Sequence, residues 1–65
     1  MPETTLLTTI EGPKGKAEIF EIVQPVESGG QRFEYEVRYN DKESQVCKAL
    51  GEAYIVAGEL AGVKT

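Results

Sequence analysis

Histidine and tryptophan are absent from the sequence, and cysteine and methionine occur once each. Without histidine the chain lacks the side chain most used as a general base near neutral pH, and the usual zinc ligand sets go with it. A lone cysteine closes no disulfide within the chain and fits a reducing compartment. Nowhere do about 18 consecutive apolar residues occur, so no membrane-spanning helix is expected. Met1 to Ile10 carries neither the basic start nor the apolar run of a secretory signal. The expectation is a cytoplasmic chain with no catalytic residues, no cofactor, no metal and no membrane contact.

Basic charge is scarce as well. Seven lysines and arginines face eleven carboxylates, giving a net charge of -4. Non-specific nucleic-acid affinity comes largely from basic residues neutralising phosphates, so an acidic domain needs a local basic patch to bind. No such run of five or more occurs, which makes nucleic acid an unlikely partner; the rival reading is a nucleic-acid-binding regulatory domain using Lys14, Lys16, Arg32 and Arg38.

What is present is an ordinary globular composition, 40% hydrophobic and 28% charged over 65 residues. Residues 1–65 are expected to form a single small α+β domain. A chain this short buries only about 60% of its unfolded surface, so its stability margin is thin unless a staple or partner adds to it.

Two turn-rich segments punctuate the chain: Glu11 to Lys16 with Gly12, Pro13 and Gly15, and Pro25 to Gly30 with Ser28-Gly29-Gly30. They separate three strand candidates. Thr4 to Ile10 is rich in threonine, leucine and isoleucine; Lys16 to Gln24 holds Ile19, Phe20, Ile22 and Val23; and Arg32 to Asn40 alternates Phe33, Tyr35, Val37 and Tyr39 with charged residues. From Glu43 to Ala61 the apolar period lengthens to that of a helix, with Val46, Ala49, Leu50, Ala53, Ala57 and Leu60 on one stripe, Asp41 or Ser44 as its cap, and Gly62 just past its end. Asn40-Asp41 can alternatively turn the chain into a short fourth strand, Glu43 to Cys47. The expected fold is α+β: a three-stranded antiparallel β-meander with one C-terminal amphipathic helix packed on one face, in β-β-β-α order.

Element order over Arg32 to Ala61 is similar to the second half of double-stranded RNA-binding domains, and β-β-β-α order occurs in small DNA-binding domains. The lysine cluster that RNA-binding domains place at the helix start has no match in Lys48-Ala49-Leu50-Gly51-Glu52, and no family is assigned on this basis.

Few residues suggest chemistry. Gly12-Pro13-Lys14-Gly15-Lys16 has the residue types of a phosphate loop but not its spacing, and reads as a turn between strands. Glu34 and Glu36, with Glu21 from the neighbouring strand, suggest a shared carboxylate site, although Arg32 and Arg38 on the same face favour a solvated mixed-charge surface. Cys47 reads as a small buried hydrophobe.

Misplaced apolar and glycine residues stand out more. Gly51, Gly58 and Gly62 line up beside Ile55 on the expected solvent side of the helix, and each internal glycine costs about 1 kcal/mol relative to alanine. The second strand is apolar on both sides, Phe20 and Ile22 facing one way and Ala17, Ile19 and Val23 the other, which a sheet covered on one face does not require. The sequence therefore suggests a small acidic interaction module, self-associating as a homodimer or docking on a larger protein. Its interaction residues are expected to be Ile55 with the glycines Gly51 and Gly58, or Ile19 and Val23 on the open sheet face.

Overall fold

The computed structural model describes residues 3–40 and 43–63. Strands β1 (Glu3–Gly12), β2 (Gly15–Pro25), β3 (Gln31–Tyr39) and β4 (Glu43–Cys47) precede helix α1 (Leu50–Ala61). The strands pair antiparallel in the order β1-β2-β3-β4, so each follows its neighbour in a meander. The α+β class and the meander agree with the sequence reading. The strand number does not, since the sheet has four strands rather than three.

The fourth strand comes from residues whose spacing also fits a helix. Asn40 takes the left-handed conformation, with φ 50°, and reverses the chain after β3. Val46 and Cys47 then sit opposite Glu36 and Tyr35 rather than on a helical stripe. The shorter helix begins after Ala49, which is extended and offers no side-chain cap, so Ser44 caps nothing and Asp41 lies outside the described residues. At the other end Gly62 has φ 81°, Gly62 N–H donates to the Glu59 carbonyl, and Val63 N–H donates to the Gly58 carbonyl at 2.8 Å. This pair of bonds satisfies two of the helix's orphan carbonyls.

β1 and β2 meet at a two-residue turn, with Gly12 opposite Gly15 across Pro13-Lys14. Lys14 N–H donates to the Ala61 carbonyl at 2.9 Å and the Tyr39 hydroxyl donates to the Lys14 carbonyl at 2.6 Å. Gly12 allows that approach, because a Cβ there would collide with the Ala61 carbonyl oxygen. The segment is a turn that holds the helix terminus against the sheet.

α1 lies across one face of the sheet. Ala53, Ala57 and Ala61 are buried at one-turn spacing against Ala17, Ile19, Val37 and Cys47, with Ile10, Tyr35, Tyr39, Val56 and Leu60 packed around them. Alanines every fourth residue let the helix sit close, and the volume under it comes from Ile19 and Val37, with the tyrosines at the margin. Among the described residues the largest fully buried side chains are Ile19, Val37 and Cys47, and this is a thin core.

Candidate interaction face

Residues directly opposite each other in an antiparallel sheet share a face, so the register assigns every side chain. Ile19 pairs with Val37, and Ala17 with Tyr39, beneath the helix. The opposite parity carries Phe20, opposite Leu6 on β1 and Glu36 on β3, and Glu36 in turn lies opposite Val46 on β4. One residue further along β2 on this face, Ile22 lies opposite Thr4 and Glu34. No element of the described chain covers this second face. Leu6 is 48% exposed and Val46 54%, while Phe20 and Ile22 are half-buried within the sheet surface.

Between Leu6 and Thr8 the pairing slips by one residue, so β1 carries a bulge at Leu7. The slip sets Leu6 opposite Phe20, whereas unbroken continuation from the Ile10 pair would have aligned Leu7 with it. A sequence pattern read without the bulge therefore misplaces the β1 contribution to the face.

Charges flank this apolar band on both sides. At one end Glu11 lies opposite Lys16, and Glu18 opposite Arg38; at the other, Gln24 lies opposite Arg32, and Gln24 Nε2 donates to Glu34 Oε1 at 3.2 Å. Arg38 spans the band, its guanidinium carbon 4.4 Å from the Phe20 ring centroid and its NH2 group 3.0 Å from Glu36 Oε1. The face thus carries Glu11, Glu18, Glu34 and Glu36 against Lys16, Arg32 and Arg38, close to balance, while the chain as a whole has a net charge of -4. Interleaving of this kind gives no continuous basic track for a phosphate backbone.

The sequence-derived interaction residues fall in different places. Ile19 is fully buried beneath the helix, not on an open face. Parity had grouped the side chains correctly, but with both sides of β2 apolar it did not say which side the helix would cover; the small residues Ala17 and Val37 around Ile19 suit the alanine stripe, and Phe20 does not. Val23 shares the helix face, half-buried opposite Phe33, but neither belongs to the core cluster. Gly58 is buried rather than solvent-facing, since the chain folds back over it at Val63. Gly58 and Gly62 thus serve the helix terminus, and no groove of three glycines exists. Gly51 is exposed with open space around it, and Ile55, at 64%, is the most exposed large hydrophobic among the described residues.

The carboxylate site also dissolves. Glu21 lies opposite Tyr35 on the helix face, away from Glu34 and Glu36, because adjacent residues of a strand point to opposite faces. Among the described residues no three metal-ligating side chains come together. Cys47 is buried in β4 against the core, and burial, aided by the negative charge of Glu52, raises its thiol pKa above the usual value, which opposes nucleophilic use.

Leu6, Phe20, Ile22 and Val46 are the residues the sequence reading did not bring together. The signal for Phe20 and Ile22 was the two-sided apolar pattern of β2; that for Val46 appears only once Glu43–Cys47 is read as a strand. No helix in the described residues is long and apolar enough to cross a membrane. Comparison of the chain with protein-family models, curated proteins and solved structures finds no match.

Proposed function

We propose that this chain is a small protein-interaction module of the cytoplasm whose contact surface is the sheet face opposite the helix. The observation that carries this reading is the apolar band Leu6, Phe20, Ile22 and Val46 on a face that no described element covers. An amphipathic sheet normally leaves one face polar, so apolar residues from three strands gathered on the solvent side ask for a second layer. Energetics point the same way. The helix-side core is shallow, and the one cysteine, Cys47, is buried and free, so no disulfide within the chain supplements it. Association is a common device for a domain of this size.

A site-specific photo-crosslinker tests the reading in cells. Placed at Val46, on the open face, it is expected to give covalent protein adducts; placed at Ile55, on the back of the helix, it is expected to give none. Adducts from position 55 with none from position 46 would move the interface to the helix, and no adduct from either would overturn the module reading.

A further inference from the structure

Resting on that reading, we infer that the occupant of the open face is a second copy of this chain, docked sheet to sheet about a two-fold axis. Two such faces would enclose a second core of Leu6, Phe20, Ile22 and Val46 from each copy, with the helices outermost.

Three features on the face favour a copy over an unrelated partner. The first is charge. A surface built for a basic or an acidic partner carries one sign in excess, whereas this face carries both signs at each end of the apolar band: Glu11 beside Lys16 at one end, Glu34 beside Arg32 at the other. A two-fold axis sets acid against base between copies when each edge carries both, and the copy is the one partner certain to present the same balanced pattern. The net charge of -4 resides mainly off this face, on surfaces that such a dimer keeps apart.

The second feature is size. The sheet is three to four strands wide at about 4.8 Å spacing, and its longest strand has 11 residues rising about 3.3 Å each, which makes a face on the order of 600 Å². Specific interfaces start near about 600 Å² per partner, so the whole face is needed and a flat, equally large counterpart meets that need. Two twisted sheets pack in this way about 10 Å apart with their strands within about 30° of each other. The long, thin molecule, 43 × 21 × 15 Å, presents the sheet as its broad side.

The third feature is the pair of free sheet edges. β1 and β4 are edge strands that offer another way for copies to join, but the bulge at Leu7 breaks the β1 ladder after four pairs from the start, and β4 has only 5 residues. Bulges and short strands at edges hinder edge-to-edge pairing, which leaves the face as the better surface for association.

The Glu36–Arg38 pair sits within the band and enters the interface already paired, so its desolvation weakens the dimer without leaving an orphan charge. A concentration-dependent dimer is therefore expected rather than a permanent one.

The test combines sedimentation of the full chain with charge exchange at four positions of the face, of which Glu11, Lys16 and Arg32 are exposed and Glu34 half-buried. Wild type is expected to shift from the 7.1 kDa monomer to twice that mass as concentration rises. The double variants Glu11→Lys/Glu34→Lys and Lys16→Glu/Arg32→Glu are each expected to dimerise at least about tenfold more weakly, and an equimolar mixture of the two is expected to recover a heterodimer. A wild type that stays monomeric throughout, a dimer untouched by both variants, or a mixture that fails to recover would overturn the inference. The crosslinker at Val46 separates the two levels: an adduct of twice the chain mass supports the second copy, an adduct to a different protein overturns it while leaving the module reading standing, and no adduct from either position 46 or position 55 overturns both.

Discussion

The Arg38 guanidinium lies over Phe20 with its central carbon 4.4 Å from the ring centroid, and the same side chain reaches Glu36 Oε1 at 3.0 Å. One arginine thus roofs the largest apolar side chain of the open face and neutralises the carboxylate beside it. Removing it in Arg38→Ala is expected to cost about 0.5–1 kcal/mol, the range for a partly exposed cation–π contact, with little added by an ion pair that water still reaches. A double-mutant cycle with Phe20→Leu isolates the ring contribution. In urea titrations below the association range, a coupling near zero would show that the ring and the arginine are neighbours without mutual stabilisation.

Much of the fold is legible in the residues because local rules and tertiary structure agree there. Phe33, Tyr35, Val37 and Tyr39 alternate with charged residues in β3, and the structure buries Val37 and packs both tyrosines against the core, while Phe33 remains exposed beyond it. Gly62 was recognisable as a helix terminator and has the left-handed backbone that role needs. The helix start was not legible, since Val46, Ala49 and Leu50 continue the apolar stripe backward and only the pairing of Cys47 with Tyr35 decides for a strand. The open face was half legible: β2 announced two apolar sides, but the choice of covered side depends on how an alanine-lined helix fits Ala17, Ile19 and Val37. That fit is a property of packing between distant segments, which no local pattern carries.

Ile19 and Ile55 were equivalent candidates in the sequence and are opposites in the structure, one fully buried and the other 64% exposed. Ile19→Ala removes packing from beneath the helix and is expected to cost about 2–5 kcal/mol, a large share of what so small a domain has. Ile55→Ala is expected to change stability by less than about 0.5 kcal/mol. Thermal melts of the two variants beside wild type check both figures, and a severe loss from Ile55→Ala would mean that the helix back is covered after all.

The turn between β1 and β2 is held from two sides, and the two restraints predict different losses. Tyr39→Phe removes the 2.6 Å bond to the Lys14 carbonyl and is expected to cost about 1 kcal/mol. Gly12→Ala places a methyl group against the backbone carbonyl of Ala61, which cannot move without lifting the helix end. A cost of about 1–3 kcal/mol is expected, as for other overpacked sites. Amide hydrogen exchange localises the effect: Lys14 N–H, which donates to Ala61, is expected to lose protection in Gly12→Ala well before the β2–β3 ladder does.

Cys47 gives the domain a dependence on alkaline pH whose sign follows from its burial. Desolvation, and after it the negative charge of Glu52, raises its thiol pKa above the ordinary value. The folded chain therefore holds the proton more tightly than the unfolded chain. Stability from this group is fully present below the unfolded value, about 8.5, and falls as pH climbs from there toward the folded value, by at most about 1.4 kcal/mol per pH unit. Wild type and Cys47→Ala share every other side chain, so the difference between the two isolates the thiol. The gap between their urea midpoints is expected to hold steady from pH 6 to 8 and to narrow above pH 9, as wild type alone loses the thiol contribution. A gap that stays constant to pH 10 would mean that the thiolate is tolerated in the folded chain, and that Cys47 is less enclosed by β4 and the helix than its 2% exposure indicates.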